Sequence, residues 1–164
     1  MTRDELLQQY DRELATTRQL LERVPANLME WRPHPKSTTM AGLGRHLAHM
    51  LTWGLLGLAK TSSDVADRAP AGPTATPADI LAMFDRNAAA TRALIAGLSD
   101  EALRETWSLT WQGKTVMTST REAVVESMIL NHLIHHRGQL SVYLRLNDIP
   151  VPSIYGPTAD EPAR

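Results

Sequence analysis

The stretch that decides the fold is NHLIHHRGQL, residues 131–140, within a long amphipathic segment. The apolar side chains of that segment recur with a helical period: Val125, Ile129, Leu140 and Tyr143. At about 100° per residue, His132 and His136 fall within about 20° of the centre of this apolar stripe, and His135 lies roughly 80° away. The period predicts a helix from about 119 to 147, with His132 and His136 one turn apart on its core face.

Two imidazoles at this spacing can hold one metal ion, because side chains at i and i+4 lie on the same face of a helix. Buried imidazoles also need partners, since an unsatisfied buried nitrogen costs roughly 1–3 kcal/mol. Metal binding by His132 and His136 would meet that need, and hydrogen bonds to side chains or water are the alternative. The pair is not the metalloprotease motif H-E-x-x-H, because Leu133 stands where that motif has its glutamate.

Three further segments carry the helical period, at about 2–24, 39–60 and 77–98. Thr76 is the predicted N-cap of the last of these, with Pro77 as its first residue. Four helices with one apolar stripe each favour an all-α four-helix bundle, in which sites form between facing helices.

Two connections are also informative. Residues 107–111 alternate apolar and polar side chains and are followed by Gln112 and Gly113, which predicts a short β-hairpin between helices 3 and 4. Residues 69–77 are rich in Pro, Ala and Gly and predict an exposed loop. This loop is not expected to be a domain boundary, because neither side has enough helices for a core, so residues 1–164 are predicted to form a single domain.

A third metal ligand is expected from the second predicted helix, which offers two histidines. The apolar stripe of that helix is centred on Leu43, Leu47, Met50 and Leu51. His46 lies about 90° from this centre and His49 about 150°, which favours His46 and places His49 towards solvent or an interface. His34 stands between two prolines and is predicted to lie in a loop.

The metal-site hypothesis therefore combines His46, His132 and His136, with the question open whether His49 or His135 replaces one of them. Three neutral imidazoles with an open position form a catalytic type of site. Zn²⁺ is the expected ion, with Ni, Mn or Fe as alternatives if a carboxylate joins.

Several other side chains have both a functional and a structural interpretation. Tyr155 is a candidate to fold over the site, although docking of the tail is the favoured explanation. The tryptophans are candidates to line a pocket for an apolar electrophile, with core or interface packing as the alternative: Trp53, Trp107 and Trp111. Gln139 is a candidate to orient a ligand, with packing as its alternative. Arg137 points off the stripe and is predicted to form a salt bridge or an interface.

Composition limits the classes of function. The net charge is −1 and the basic residues are scattered, which argues against a surface for nucleic acid or anionic lipid. The chain has no cysteine, so it supplies no thiolate ligand, and this fits a reducing compartment. The N-terminal segment is charged and amphipathic, unlike a signal peptide, and no apolar stretch is long enough to span a bilayer. We therefore expect a cytoplasmic protein that does not enter membranes.

Residues 131–140 resemble the last helix of the DinB/YfiT-like family of bacterial four-helix metal-binding proteins. RHLA at 45–48 and PVPSIYGP at 150–157 resemble one branch of that family. Its pattern of one histidine on the second helix and an H-x-x-x-H pair on the last matches His46, His132 and His136. The resemblance implies a down-up-up-down bundle with a long crossover, and a homodimer.

The resemblance also implies classes of activity. Members of the family include S-transferases that use low-molecular-weight thiols, a thiol-dependent maleylpyruvate isomerase, and proteins called metal-dependent hydrolases. It therefore implies a metal-dependent enzyme of the thiol S-transferase or hydrolase type that acts on a small molecule. The alternative is a non-catalytic bundle whose metal is structural, or a sensor or stress-response interaction protein; an open coordination position beside a pocket would favour the enzyme.

Overall fold

The computed structural model describes residues 1–68, 70–72 and 75–162. Its helices are α1 (Arg3–Leu21), α2 (Met40–His49), α3 (Thr52–Ala59), α4 (Pro77–Gly97), α5 (Asp100–Arg104), α6 (Arg121–Ala123) and α7 (His132–Arg145). Its strands are β1 (Ser62–Asp64), β2 (Thr106–Trp111) and β3 (Lys114–Thr120). A π-helical stretch, Val124–Asn131, joins α6 to α7 into one long helix.

Ion pairs between α1 and α4 show that these helices run in opposite directions. Early in α1, Asp11 pairs with Arg92 of α4. Later in α1, Arg18 pairs with Asp85, which precedes Arg92 in α4. Helix α4 starts at Pro77, as predicted. Thr76 is its N-cap and forms a capping box, in which the Thr76 hydroxyl accepts a hydrogen bond from the backbone N–H of Asp79.

The segment α2–α3 instead runs parallel to α4. The amide of Asn87 donates to the carbonyl of Ala48 at 2.9 Å, and the hydroxyl of Thr91 donates to the carbonyl of Leu51 at 2.9 Å. Two parallel helices cannot be joined by a short turn, so a long crossover, residues 60–76, connects α3 to α4. Of the predicted loop, residues 70–72 and 75–76 are exposed as expected, and Ala69, Pro73 and Thr74 lie outside the described residues.

The last long helix runs antiparallel to α2–α3. Tyr143, near the end of α7, donates to the carbonyl of Thr38, which precedes α2, at 3.3 Å. At the other end, Gly57 of α3 packs on Val124 so closely that a Cβ there would lie 2.7 Å from a valine methyl carbon. The predicted down-up-up-down bundle with a long crossover is confirmed. Within the described part of the chain, no helix is both long and apolar enough to span a bilayer.

The second predicted helix is not continuous, because it breaks between α2 and α3 at Met50 and Leu51. Polar side chains donate hydrogen bonds to the backbone carbonyl groups around this point. Thr52 donates to the carbonyl of His49 at 2.7 Å, in addition to the bonds that Ala48 and Leu51 accept from α4. Side chains that donate hydrogen bonds to the carbonyl groups of a helix bend or interrupt it.

The predicted hairpin is confirmed as β2 and β3, paired antiparallel with Trp111 opposite Lys114. Its turn residues Gln112 and Gly113 have φ values of 51° and 74°, as a type I′ turn requires. The crossover supplies a third strand, because β1 pairs parallel with β2 and makes the strand order β1-β2-β3. The fold is thus mostly helical, with four long helices and one small sheet.

The predicted orientation of the last helix is wrong by part of a turn. The fully buried positions of α7 are Leu133, Arg137, Leu140 and Leu144, whereas His132 and His136 are half-buried beside them. A π-helical turn contains about one more residue than an α-helical turn, so the residues that follow it are rotated relative to the ideal period. The two histidines therefore flank the core face and point towards α2.

Candidate metal centre

Three histidines converge between α2 and α7. His46 lies in the last turn of α2, and His132 and His136 occupy the first two turns of α7. The ring centroid of His46 lies 5.1 Å from that of His132 and 4.4 Å from that of His136. The centroids of His132 and His136 are 4.7 Å apart. One nitrogen from each ring lies within 4.8 Å of the other two, so the structure brings together the three side chains that the sequence selects.

The spacing of these nitrogens fits a shared cation. Two nitrogens bound to Zn²⁺ at about 2.0–2.1 Å with tetrahedral angles lie about 3.3–3.4 Å apart. The Nε2 atoms of His46 and His132 are 3.3 Å apart. The described residues that converge here are all imidazoles, a donor set suited to Zn, Cu, Fe or Ni. That they bind a metal remains a prediction.

Hydrogen bonds orient two of the rings. The Nδ1 of His136 lies 2.7 Å from the Oε1 of Gln139, an arrangement in which Nδ1–H donates and Nε2 keeps a free lone pair. His132 forms a hydrogen bond with the backbone of Met128, one turn earlier. Partners of this kind fix the tautomer and the direction of a metal-binding imidazole. This hydrogen bond supports the interpretation of Gln139 as an orienting residue over that of a packing residue.

The environment keeps two of the imidazoles neutral. Burial, followed by the charges of His136 and His132, lowers the pKa of His46 to about 4. Burial is also the main cause that lowers the pKa of His132. Neutral imidazole is the form that binds metal, so these rings are ready to bind at pH 7 without first losing a proton.

A cleft of about 470 Å³ opens beside the three histidines, and we call it the histidine cleft. Its lining is mostly from α2 and α7: Thr38, Gly42, Leu43, Arg45, His46, His49, Ala71, His136 and Gln139. Two of the three clustered histidines thus border a space that is large enough for a small molecule.

The other histidines lie outside the cluster. His49 is half-buried and lines the histidine cleft, and it is not one of the three clustered rings. His135 is exposed, with its ring edge-on to His136 at 4.8 Å and its Nε2 3.1 Å from the amide nitrogen of Gln139. His34 lies in a loop, as predicted, where its Nδ1 accepts from the backbone N–H of Lys36.

Arg137 and Glu13 form a buried polar pair that sequence reasoning did not foresee, and the exposed Tyr155 reaches this pair from the tail. Arg137 is 1% exposed, so the prediction that it points away from the core is wrong, although the predicted salt bridge exists. Its Nη2 lies 2.8 Å from a carboxylate oxygen of Glu13, and its Nη1 donates to the Glu13 carbonyl at 3.1 Å. The hydroxyl of Tyr155 donates to the same carboxylate at 2.8 Å, so this residue docks the tail on α1 and α7.

The tryptophans do not line the histidine cleft. Trp107 is fully buried in a second apolar cluster with Leu109 and Val124. For this residue the interpretation as core packing, and not as pocket lining, is the correct one. Trp111 is 56% exposed. Trp53 is half-buried, with the guanidinium of Arg68 4.6 Å above its ring. Sequence reasoning missed Arg68, whose charge contributes to the lowered pKa of His46 and His132 and which therefore lies near the cluster.

Comparisons with known proteins identify the family and the fold of the chain. The model of the DinB superfamily matches residues 9–140. The Bacillus subtilis protein YrdA is 25% identical over 167 residues, an alignment that covers 99% of this chain and 93% of that protein.

Solved structures share the fold. A DinB-like protein from Bacillus cereus ATCC 10987 matches with a TM-score of 0.75 and 21% identity, over 94% of this chain and 98% of that one. The DinB-like protein YjoA from B. subtilis matches with a TM-score of 0.71 and 17% identity, over 92% and 96%. A DinB-family protein from Exiguobacterium sibiricum 255-15 matches with a TM-score of 0.69 and 22% identity, over 92% and 95%. The family model spans most of the chain and the fold agrees with it, so this protein belongs to the DinB superfamily.

Proposed function

We propose that this protein is a metal-dependent enzyme that acts on a small molecule, with His46, His132 and His136 as the ligands of a divalent cation. The observation that carries this proposal is the convergence of three imidazole nitrogens beside the histidine cleft. Zn²⁺ is the cation that we expect, since the 3.3 Å spacing of the His46 and His132 Nε2 atoms and the all-imidazole donor set both suit it.

The cleft favours a catalytic role over a structural one. A structural site is closed by protein ligands, whereas a catalytic site has three protein ligands and a position open to water or substrate. Three histidines converge here, and His46 and His136 border the cleft, so a small molecule in the cleft would reach the fourth position.

Two reaction classes fit this geometry, thiol S-transfer and hydrolysis. A bound divalent cation would lower the pKa of a small thiol or of water and so supply a nucleophile at neutral pH. The protein's part is to hold the three imidazoles together, to fix His136 through Gln139, and to seat the second reactant in the cleft. The resemblance to S-transferases supports a low-molecular-weight thiol as one substrate.

Metal stoichiometry tests the first step of the proposal. Tag-free protein, reconstituted with Zn²⁺ and dialysed, is expected to retain about one ion per chain, and His132→Ala is expected to lose it. His34→Ala is the matched control, because His34 lies in an exposed loop outside the cluster. Substoichiometric metal, or equal retention by His132→Ala, would contradict the proposal.

Activity assays on the metal-loaded protein separate the two chemistries. Conjugation of small thiols to an electrophile and hydrolysis of activated esters are measured with wild-type protein and with His46→Ala. Metal-dependent turnover in one assay assigns the class. A fully loaded protein that is inactive across both panels would favour the non-catalytic, structural role instead.

A further inference from the structure

We infer that the histidine cleft binds an oxyanion of its substrate, a carboxylate or phosphate, on the guanidinium of Arg45. This inference rests on the proposed function and adds to it the charge of the substrate. The bound molecule would present its reacting group to the three histidines and its anionic group to Arg45.

The position of Arg45 is the first support. It directly precedes His46 in α2, and its exposed side chain lines the cleft together with His46 and His136. A guanidinium at this place offers a fork of N–H donors that matches the two oxygens of a carboxylate or phosphate.

The second support is that Arg45 makes no ion pair within the described part of the chain. Most other arginines there have a carboxylate partner: Arg3, Arg18, Arg23, Arg92, Arg121, Arg137 and Arg145. An anion from solution would therefore not have to displace a carboxylate of the described residues from Arg45.

The charge balance around the cleft is the third support. None of the described residues that line it is acidic. Arg68 adds a second cation near the histidines, and it donates to the hydroxyl of Thr52 and the carbonyl of His49, which are neutral groups. Arg45 in the lining and Arg68 nearby favour an anion in the cleft, and a divalent cation on the histidines would strengthen this field.

The test compares small acids that differ in a second anionic group. Binding of propionate, succinate and 3-phosphonopropionate to cobalt-loaded protein is measured from the visible absorption of Co²⁺. Each molecule offers one carboxylate to the metal, and only the last two also offer an anion to Arg45. We expect one or both of the dianions to bind about tenfold more tightly than propionate, and the stronger of the two identifies carboxylate or phosphate as the preferred group.

Variants show whether Arg45 is the cause. In Arg45→Gln the preference over propionate is expected to fall to about twofold or less, with propionate affinity and cobalt content unchanged. Arg12→Gln is the matched control, because Arg12 is an exposed arginine on α1, outside the cleft. Full cobalt loading without a preference for dianions, or a preference that survives in Arg45→Gln, would overturn this inference and leave the metal proposal standing. Failure to load cobalt would overturn both.

Discussion

At the scale of single residues, Gln139 is a surface residue whose side chain is expected to affect metal binding. It is exposed, yet its side chain connects His136 to His135 through both ends of the amide. An amide oxygen that accepts from Nδ1 holds the ring in the tautomer whose Nε2 can bind a metal. Its contribution is therefore expected in metal affinity and not in the stability of the fold.

Gln139→Leu is expected to weaken Zn²⁺ binding by about 10–100-fold, because loss of an outer-shell partner has that typical effect. Gln139→Glu keeps an acceptor at the same place and is expected to retain the affinity. Competition with a chromophoric chelator measures both values. Equal affinities for wild type and Gln139→Leu would show that the amide does not orient His136.

His46 gives the metal-free protein a defined pH dependence. Its pKa is lowered to about 4 in the folded state, chiefly by burial, and an unfolded histidine titrates near 6.5. Between these values the unfolded chain binds more protons, so stability rises with pH. The free energy of unfolding is therefore expected to fall as the pH drops from about 6.5 to about 4.

Urea unfolding across this pH range checks the expectation. The matched variant is His46→Gln, which cannot titrate there and is expected to show a shallower fall. An identical slope in the two proteins would contradict a lowered pKa of His46 in the folded state.

At the scale of the element, the last long helix shows where sequence reasoning succeeds and where it fails. The apolar period predicts its length and the one-turn spacing of His132 and His136. The period does not reveal the π-helical stretch, because one extra residue per turn changes which face is buried without changing the composition. As a result Arg137 occupies the core, where the sequence predicts a histidine.

The ion pair of Arg137 with Glu13 fixes α7 against α1, and its loss is expected to be costly. Arg137 is 1% exposed, so Glu13→Ala would leave a buried guanidinium without its carboxylate. Breaking a buried pair typically costs about 3–5 kcal/mol. Tyr155→Phe removes only one hydrogen bond and is expected to cost about 1 kcal/mol.

Chemical denaturation of both variants measures this ordering. The double variant Glu13→Leu/Arg137→Met removes both charges and is expected to recover part of the stability that Glu13→Ala loses. A Glu13→Ala variant as stable as Tyr155→Phe would mean that the buried charge is compensated by other groups.

Two helical glycines offer a matched test of packing. A Cβ on Gly54 of α3 would lie 2.3 Å from the Cγ2 of Thr91, whereas a Cβ on Gly138 of α7 meets nothing within 4 Å. Gly54→Ala is expected to destabilise the bundle by about 1–3 kcal/mol through overpacking. Gly138→Ala is expected to stabilise it by about 0.5–1 kcal/mol, because alanine is the better helix former.

Thermal unfolding of the two variants gives the sign of each change. Opposite signs are expected from the same chemical substitution. If both variants were stabilised, the close approach of α3 to α4 would be absent in solution.

At the scale of the whole molecule, the sequence predicts the bundle and the three histidines for a common physical reason. Periodicity identifies the helices and their buried faces, and histidines near those faces can meet only between the helices. Arg68 and β1 lie in the crossover, where no period exists to predict them. The pairing of Glu13 with Arg137 joins residues far apart in the chain, and a single sequence gives no signal for it.

The central claim is that the meeting of α2 with α7 creates a three-histidine metal site. X-ray absorption at the zinc edge of the reconstituted protein tests it most directly, because this measurement reports the ligands of the bound ion. We predict one ion per chain with three imidazole nitrogens at about 2.0–2.1 Å, and loss of one imidazole or of the ion itself in His46→Ala. A zinc spectrum without imidazole scattering, or one that is identical in wild type and His46→Ala, would contradict the claim.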